Sequence, residues 1–192
     1  MEQERTFKFH DTRYEKIYED LRFIGEGPAY FFRDACLMKE NPENLRTTSH
    51  LIGHCIREIE SALRDALKPI AVKEEGLTHK AQIDAIVDTF FVEEKVRVRN
   101  LWINLVGLLS KFAHRDNLNP PRPIDKINGV WENFITLLEQ LLPEMRKNID
   151  KWFKKIDEIV EDSPEKGLNM LIRNIPNNLT IHRYFFKEKL KG

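Results

Sequence analysis

The sequence predicts an all-α protein, an irregular bundle of about six to eight helices without a significant β-sheet. Apolar residues recur at helical spacing through most of the chain, and strict apolar/polar alternation between turn residues is almost absent. Glycine and proline divide the 192 residues into segments of helix length. With 41% apolar and 32% charged residues, the composition is typical of a soluble globular domain.

Each expected helix is bounded by turn or capping residues. Pro28 suits a first helical turn, Thr78 is a helix cap, and Pro69 follows the end of a helix. Pro143 is expected to kink the last long helix or split it in two. The expected helices are 6–24, 28–39, 48–67, 78–91, 94–114 and 125–160.

The chain is expected to divide into a main bundle and a short C-terminal unit. Residues 1–162 form the helical bundle, centred on the helices near 48–67, 94–114 and 125–160. Residues 163–192, which start with Ser163 as a cap and Pro164 in the first turn, form a helical hairpin. We expect this hairpin to pack on the bundle or to lie at an interface. Three tryptophans and the run Tyr30-Phe31-Phe32 are interpreted as core aromatics.

Charge and cysteine content limit the function classes. Lys+Arg and Asp+Glu are 31 each, so the chain has no overall charge that would steer it to nucleic acid or to an anionic membrane. Its apolar runs are too short for a membrane span. Cys36 and Cys55 are at apolar-side positions of helices, so we expect reduced core thiols in a cytoplasmic protein.

The helix over 48–67 has a clear polar face with two histidines one turn apart. His50, His54 and Arg57 lie on this face, which is interpreted either as solvated or as a binding surface. The pair His50 and His54 has the spacing of two zinc ligands, but Leu51 stands where the metalloprotease pattern has glutamate, and no third ligand is evident. We therefore predict no metal and no cofactor.

A second polar stripe follows the helix over 94–114. Its binding candidates are Asn100 and Asn104, which fit a helix interior poorly unless hydrogen bonds across a groove or solvent exposure compensate. Gly107 permits close approach of another helix or a ligand. Lys111 and His114 complete the stripe.

The string Phe112-Ala113-His114-Arg115-Asp116 ends this helix with histidine and basic residues. In an all-helical bundle it resembles the HEPN group, bacterial helical domains that include RNA-cleaving toxins and defence proteins. The resemblance covers about residues 48–160. The family's motif has an arginine followed by a histidine four to six positions later, whereas here Arg115 follows His114. Non-catalytic members serve as dimerising or nucleotide-binding modules.

Two functions are expected from these residues. The first is a protein-interaction or regulatory module of a bacterial system, with a protein partner or a second copy of the chain. The alternative is a HEPN-like, metal-independent ribonuclease or RNA-binding domain with His114, Arg115 and Lys111 as catalytic residues, supported by His54 or Arg57. The first is favoured, because the basic surplus near residues 93–126 is small for a nucleic-acid binder.

Overall fold

A computed structural model describes residues 8–71, 76–113 and 122–162, and these residues confirm the all-α fold. They form seven α-helices and one 3-10 turn, Pro42–Asn44, and contain no strand. The helices are α1 Thr12–Ile24, α2 Glu26–Glu40, α3 Thr48–Ala71, α4 His79–Phe90, α5 Lys95–Ala113, α6 Asp125–Lys147 and α7 Ile149–Asp162.

Helix α1 begins at Thr12, so the expected start near residue 6 is wrong. Residues 8–11 are not helical, and the carboxylate of Asp11 caps α1 by accepting a hydrogen bond from the Arg13 backbone N–H at 2.8 Å. Helix α2 begins at Glu26, two residues before Pro28. The proline still lies in the first turn, where its missing N–H would have no helical partner.

Pro69, expected to follow the end of a helix, and Pro143, expected to kink or split one, both lie inside helices. Helix α3 continues through Pro69 to Ala71, and α6 continues through Pro143 to Lys147. The break between α6 and α7 falls instead at Asn148, whose backbone and side-chain N–H groups both donate to the Glu144 carbonyl. Pro143 removes only one backbone hydrogen bond of α6, because it has no N–H. The Asn148 side chain instead competes with the helical backbone for the Glu144 carbonyl, which favours an end to the helix there.

Helix α4 follows its expected bounds closely. The Thr78 hydroxyl accepts a hydrogen bond from the Ala81 backbone N–H at 3.3 Å, which confirms the predicted cap. Helix α5 begins after Glu94, the one described non-glycine residue with a positive φ, 56°.

Helix α3 lies at the centre of the fold and packs against α2, α4, α5 and α6, while α6 also packs against α1 and α5. The side chains of Trp102 and Trp131 are fully buried, as predicted. Trp131 stacks on Phe32, and its indole N–H donates to the Tyr14 hydroxyl at 2.9 Å. The Tyr30-Phe31-Phe32 prediction is wrong in part: only Phe32 is buried, since Tyr30 and Phe31 lie on the outer face of α2.

Both cysteines are buried free thiols, in agreement with their predicted core positions. None of the helices described is long and apolar enough to span a membrane. The predicted C-terminal hairpin, 163–192, lies outside the described residues.

Candidate binding cleft between α3, α4 and α5

An ion pair of two buried side chains joins adjacent turns of α3. Arg64 Nε donates to Glu60 Oε1 at 2.7 Å, and Arg64 Nη2 donates to Glu60 Oε2 at 3.3 Å. Only 9% of the Arg64 side chain and 4% of the Glu60 side chain are exposed. Burial of two charged groups costs desolvation free energy, so further hydrogen-bond partners are needed to offset that cost.

The other partners come from α4 and α5. Trp102 Nε1 donates to Glu60 Oε1 at 2.9 Å, and Arg64 Nη1 donates to Gln82 Oε1 at 3.2 Å. Gln82 is oriented in turn, because its Nε2 donates to the Leu77 carbonyl at 2.9 Å. We call Glu60, Arg64, Gln82 and Trp102 the polar core. It fixes the position of the Arg64 guanidinium where three helices meet.

A cleft of about 620 Å³ opens above the polar core. The surface of α3 forms one side, the first turns of α4 form the second, and the C-terminal half of α5 forms the third. The lining residues are Arg57, Glu58, Glu60, Ser61, Arg64, Asp65, Lys68, His79, Gln82, Val106, Leu109 and Ser110. We call this the α3–α5 cleft.

Only some of the charges at the rim of the cleft are paired with each other. Arg57 Nη2 donates to Glu58 Oε1 at 3.3 Å, so these two neighbours form a partly exposed pair. Among the described residues, neither Asp65, Lys68 nor His79 has an ion-pair partner. Within the described part of the chain, the rim therefore presents unpaired charges of both signs above the buried Arg64.

A second contact joins the start of α3 to the end of α5. A Cβ atom added at Gly53 would lie 2.8 Å from Phe112 Cβ, so only glycine fits at this crossing. Arg122, the first described residue after α5, is also held at the start of α3. Ser49 Oγ donates to the Arg122 carbonyl at 2.5 Å, and the Arg122 backbone N–H donates to His50 Nε2 at 3.3 Å.

The structure separates the residues that the sequence singles out. Arg57 lines the α3–α5 cleft, and His54 Nδ1 lies 3.3 Å from Arg57 Nη2 outside it. His50 instead accepts the hydrogen bond from Arg122.

The α5 candidates lie on another surface. Asn100, Asn104 and Lys111 are exposed, and none of them lines the cleft. No atom of the described residues lies within 4 Å of a Cβ added at Gly107, so the close approach expected there is found at Gly53 instead. The remaining two candidates, His114 and Arg115, lie outside the described residues.

The polar core was not among the candidates from the sequence. On the wheel of α3, Glu60 and Arg64 fall within the polar half, where they are not distinguishable from solvated residues. Two signals point to them: their i,i+4 spacing suits an ion pair, and the buried indole of Trp102 requires an acceptor. Neither signal identifies the partner on another helix.

A second groove, of about 600 Å³, lies where the α4–α5 turn meets α6. Glu94 and Arg97 pair at 2.9 Å within it, as do Glu144 and Lys147 at 2.6 Å. The buried Gln140 Oε1 has no hydrogen-bond partner in the described part of the chain. This groove is more acidic than the α3–α5 cleft and lacks a buried cation.

Within residues 8–71, 76–113 and 122–162, no three His, Cys, Asp or Glu side chains are grouped as metal ligands. The described residues define an all-α bundle with a polar cleft built on a buried ion pair. No protein-family model, curated protein or solved structure matches the chain.

Proposed function

We propose that this chain is a recognition module that binds a protein partner in the α3–α5 cleft. The observation that carries the proposal is the position of Arg64, a buried cation that lines an open cleft. Glu60 and Gln82 hold its guanidinium in place before any partner arrives. A preorganised side chain loses little conformational entropy on binding, which favours recognition.

The charges that line the cleft favour a protein over a nucleic acid. Three cations line the cleft, Arg57, Arg64 and Lys68, and three carboxylates oppose them, Glu58, Glu60 and Asp65. A polyanion requires a surplus of positive charge, which this lining lacks. A surface with both signs in fixed positions is complementary to a protein surface that carries both signs, and such complementarity gives specificity.

The setting of this module is proposed from the cysteines and the family resemblance. The reduced thiols of Cys36 and Cys55 support a reducing, cytoplasmic compartment. The HEPN resemblance supports a bacterial system in which the partner is another protein or a second copy of the chain.

Selection from a displayed library of random peptides tests the proposal. The full chain is immobilised, and each enriched peptide is rebound to Lys68→Glu and to Lys80→Glu. Lys80 is exposed on α4 and does not line the cleft, so it is the matched control. We expect enriched peptides that lose binding to Lys68→Glu only. Enriched peptides that bind both variants equally well, or no enrichment at all, would contradict the proposal.

A specific contact favours RNA cleavage as the second candidate function. His54 and Arg57 lie within 3.3 Å of each other, and Phe112 packs against Gly53 beside them. An imidazole next to a guanidinium suits proton transfer and stabilisation of a phosphorane. The test is incubation of labelled mixed-sequence RNA in EDTA with the wild type, His54→Ala and His114→Ala. Cleavage that both variants lose supports this candidate; no cleavage by the wild type eliminates it.

A further inference from the structure

We infer that the floor of the α3–α5 cleft binds a carboxylate, which Arg64 and Lys68 recognise together; this rests on the proposed function, because the carboxylate belongs to the bound partner. Arg64 supplies hydrogen-bond donors, and Lys68 supplies the positive charge. An aspartate or glutamate side chain or a C-terminal carboxylate of the partner has this chemistry.

Arg64 retains hydrogen-bond donors that its partners in the polar core do not use. A guanidinium carries five N–H groups. Nε and Nη2 each donate to Glu60, and Nη1 donates to Gln82, which uses three of them. One N–H on each terminal nitrogen is left without an acceptor among the residues that the structure describes. Because Arg64 lines the cleft and 9% of its side chain is exposed, we place the oxygen acceptor of these donors in the cleft.

The floor of the cleft also carries a positive side chain, Lys68. Glu60 neutralises Arg64 and is itself held by Trp102, so the polar core has no net charge. Lys68 is half-buried beside it, and the described residues contain no ion-pair partner for it. Lys68 therefore supplies one ammonium group that no described residue pairs, although Asp65, also unpaired among the described residues, balances the charge of the cleft as a whole. An anion with a single charge matches this ammonium group.

The charges of the cleft favour a carboxylate over a phosphate group. A phosphate monoester carries a charge of about −1.5 to −2 at pH 7, and Glu58, Glu60 and Asp65 would repel the excess. A carboxylate has a single charge and two acceptor oxygens, the number needed to engage Lys68 and an Arg64 N–H together. The apolar side chains of Val106 and Leu109 exclude water from one side, which strengthens such contacts.

NMR titration of the full-length chain with sodium acetate tests the inference, with sodium phosphate and sodium chloride at matched ionic strength as comparisons. The reporters are the Arg64 Nε–H, the Gln82 side-chain amide and the Trp102 indole N–H. We expect saturable shifts of all three with acetate, weaker binding of phosphate and no saturable shift with chloride. Tighter binding of phosphate, or shifts that chloride reproduces, would overturn the inference.

Lys68→Met and Lys80→Met complete the experiment without altering the polar core. The first variant is expected to weaken acetate binding about tenfold, the effect of losing one charge-assisted hydrogen bond. The second is expected to bind like the wild type. Equal affinity of the two variants would overturn the role of Lys68. Selected peptides that require the cleft but contain no carboxylate would overturn the inference while leaving the proposed function intact.

Discussion

The indole N–H of Trp102 donates a hydrogen bond to the Glu60 carboxylate at 2.9 Å, which ties the middle of α5 to α3. The same carboxylate holds Arg64 through both of its oxygens. One buried anion thus fixes a tryptophan and an arginine from two helices. The stability of the bundle and the geometry of the α3–α5 cleft consequently depend on the same residue.

Removal of the Glu60 carboxylate should destabilise the fold strongly. Glu60→Ala leaves Arg64 as an unpaired buried cation, and we expect a loss of about 3–5 kcal/mol in the free energy of unfolding. Glu58→Ala is the matched control, because its pair with Arg57 is partly exposed; its cost should be below about 1 kcal/mol. Urea denaturation measures both values. Similar losses for the two variants would show that the buried pair has no special role.

A methyl group at Gly53 should be destabilising, whereas one at Gly107 should be stabilising. The added Cβ at Gly53 would lie 2.8 Å from Phe112 Cβ, so we expect overpacking to cost about 1–3 kcal/mol. Gly107 is exposed within α5 and has nothing within 4 Å of an added Cβ, so Gly107→Ala should gain about 0.5–1 kcal/mol from helix propensity. Thermal unfolding of the two variants provides the comparison, and an unchanged or raised melting temperature for Gly53→Ala would contradict the close α3–α5 crossing.

Asp20 should make the protein less stable as the pH rises through the acid range. Burial raises the pKa of the Asp20 carboxyl above its ordinary value, and the negative charge of Glu19 raises it further. The positive charges of Arg146, whose Nε lies 2.7 Å from the carboxylate, and of Lys16 lower this pKa, but burial is the larger effect. The folded state then holds the proton more tightly than the unfolded state. This favourable contribution is complete below the unfolded pKa of about 3.9 and is lost as the pH rises through the folded value.

Comparison with Asp20→Asn isolates this effect. The free energy of unfolding of the variant, minus that of the wild type, should increase as the pH rises through the pKa of Asp20. Urea denaturation at a series of acid pH values measures the difference. A difference that decreases with rising pH would mean that attraction by Arg146 outweighs burial.

The two thiols should be unreactive in the folded protein. Burial raises the pKa of Cys55 to about 11 and also raises the pKa of Cys36, so little reactive thiolate forms near pH 8. We expect a thiol reagent to modify both cysteines only after addition of denaturant. Rapid modification of either thiol in the native protein would contradict its buried position.

The all-α fold was predictable because a helix that buries one face carries apolar residues at helical spacing, and this spacing is visible within each segment of the sequence. Thr78 was also predictable, since a cap depends on its near neighbours alone. A kink or a split is expected at Pro143, and the split falls instead at Asn148, because the cost of one lost hydrogen bond depends on the packing around the proline. The polar core was not predictable for a related reason. Arg64 is buried by contacts with α4 and α5, and a helical wheel of the α3 sequence carries no information about other helices.

The central claim is recognition in the α3–α5 cleft, and isothermal titration with the best selected peptide tests it most directly. The full-length wild type, Lys68→Glu and Lys80→Glu are titrated under one set of conditions. We predict that Lys68→Glu weakens binding at least about tenfold, since it places a like charge where the peptide carboxylate binds, and that Lys80→Glu leaves the affinity unchanged. Equal affinities for all three proteins would contradict the assignment of the cleft as the recognition site.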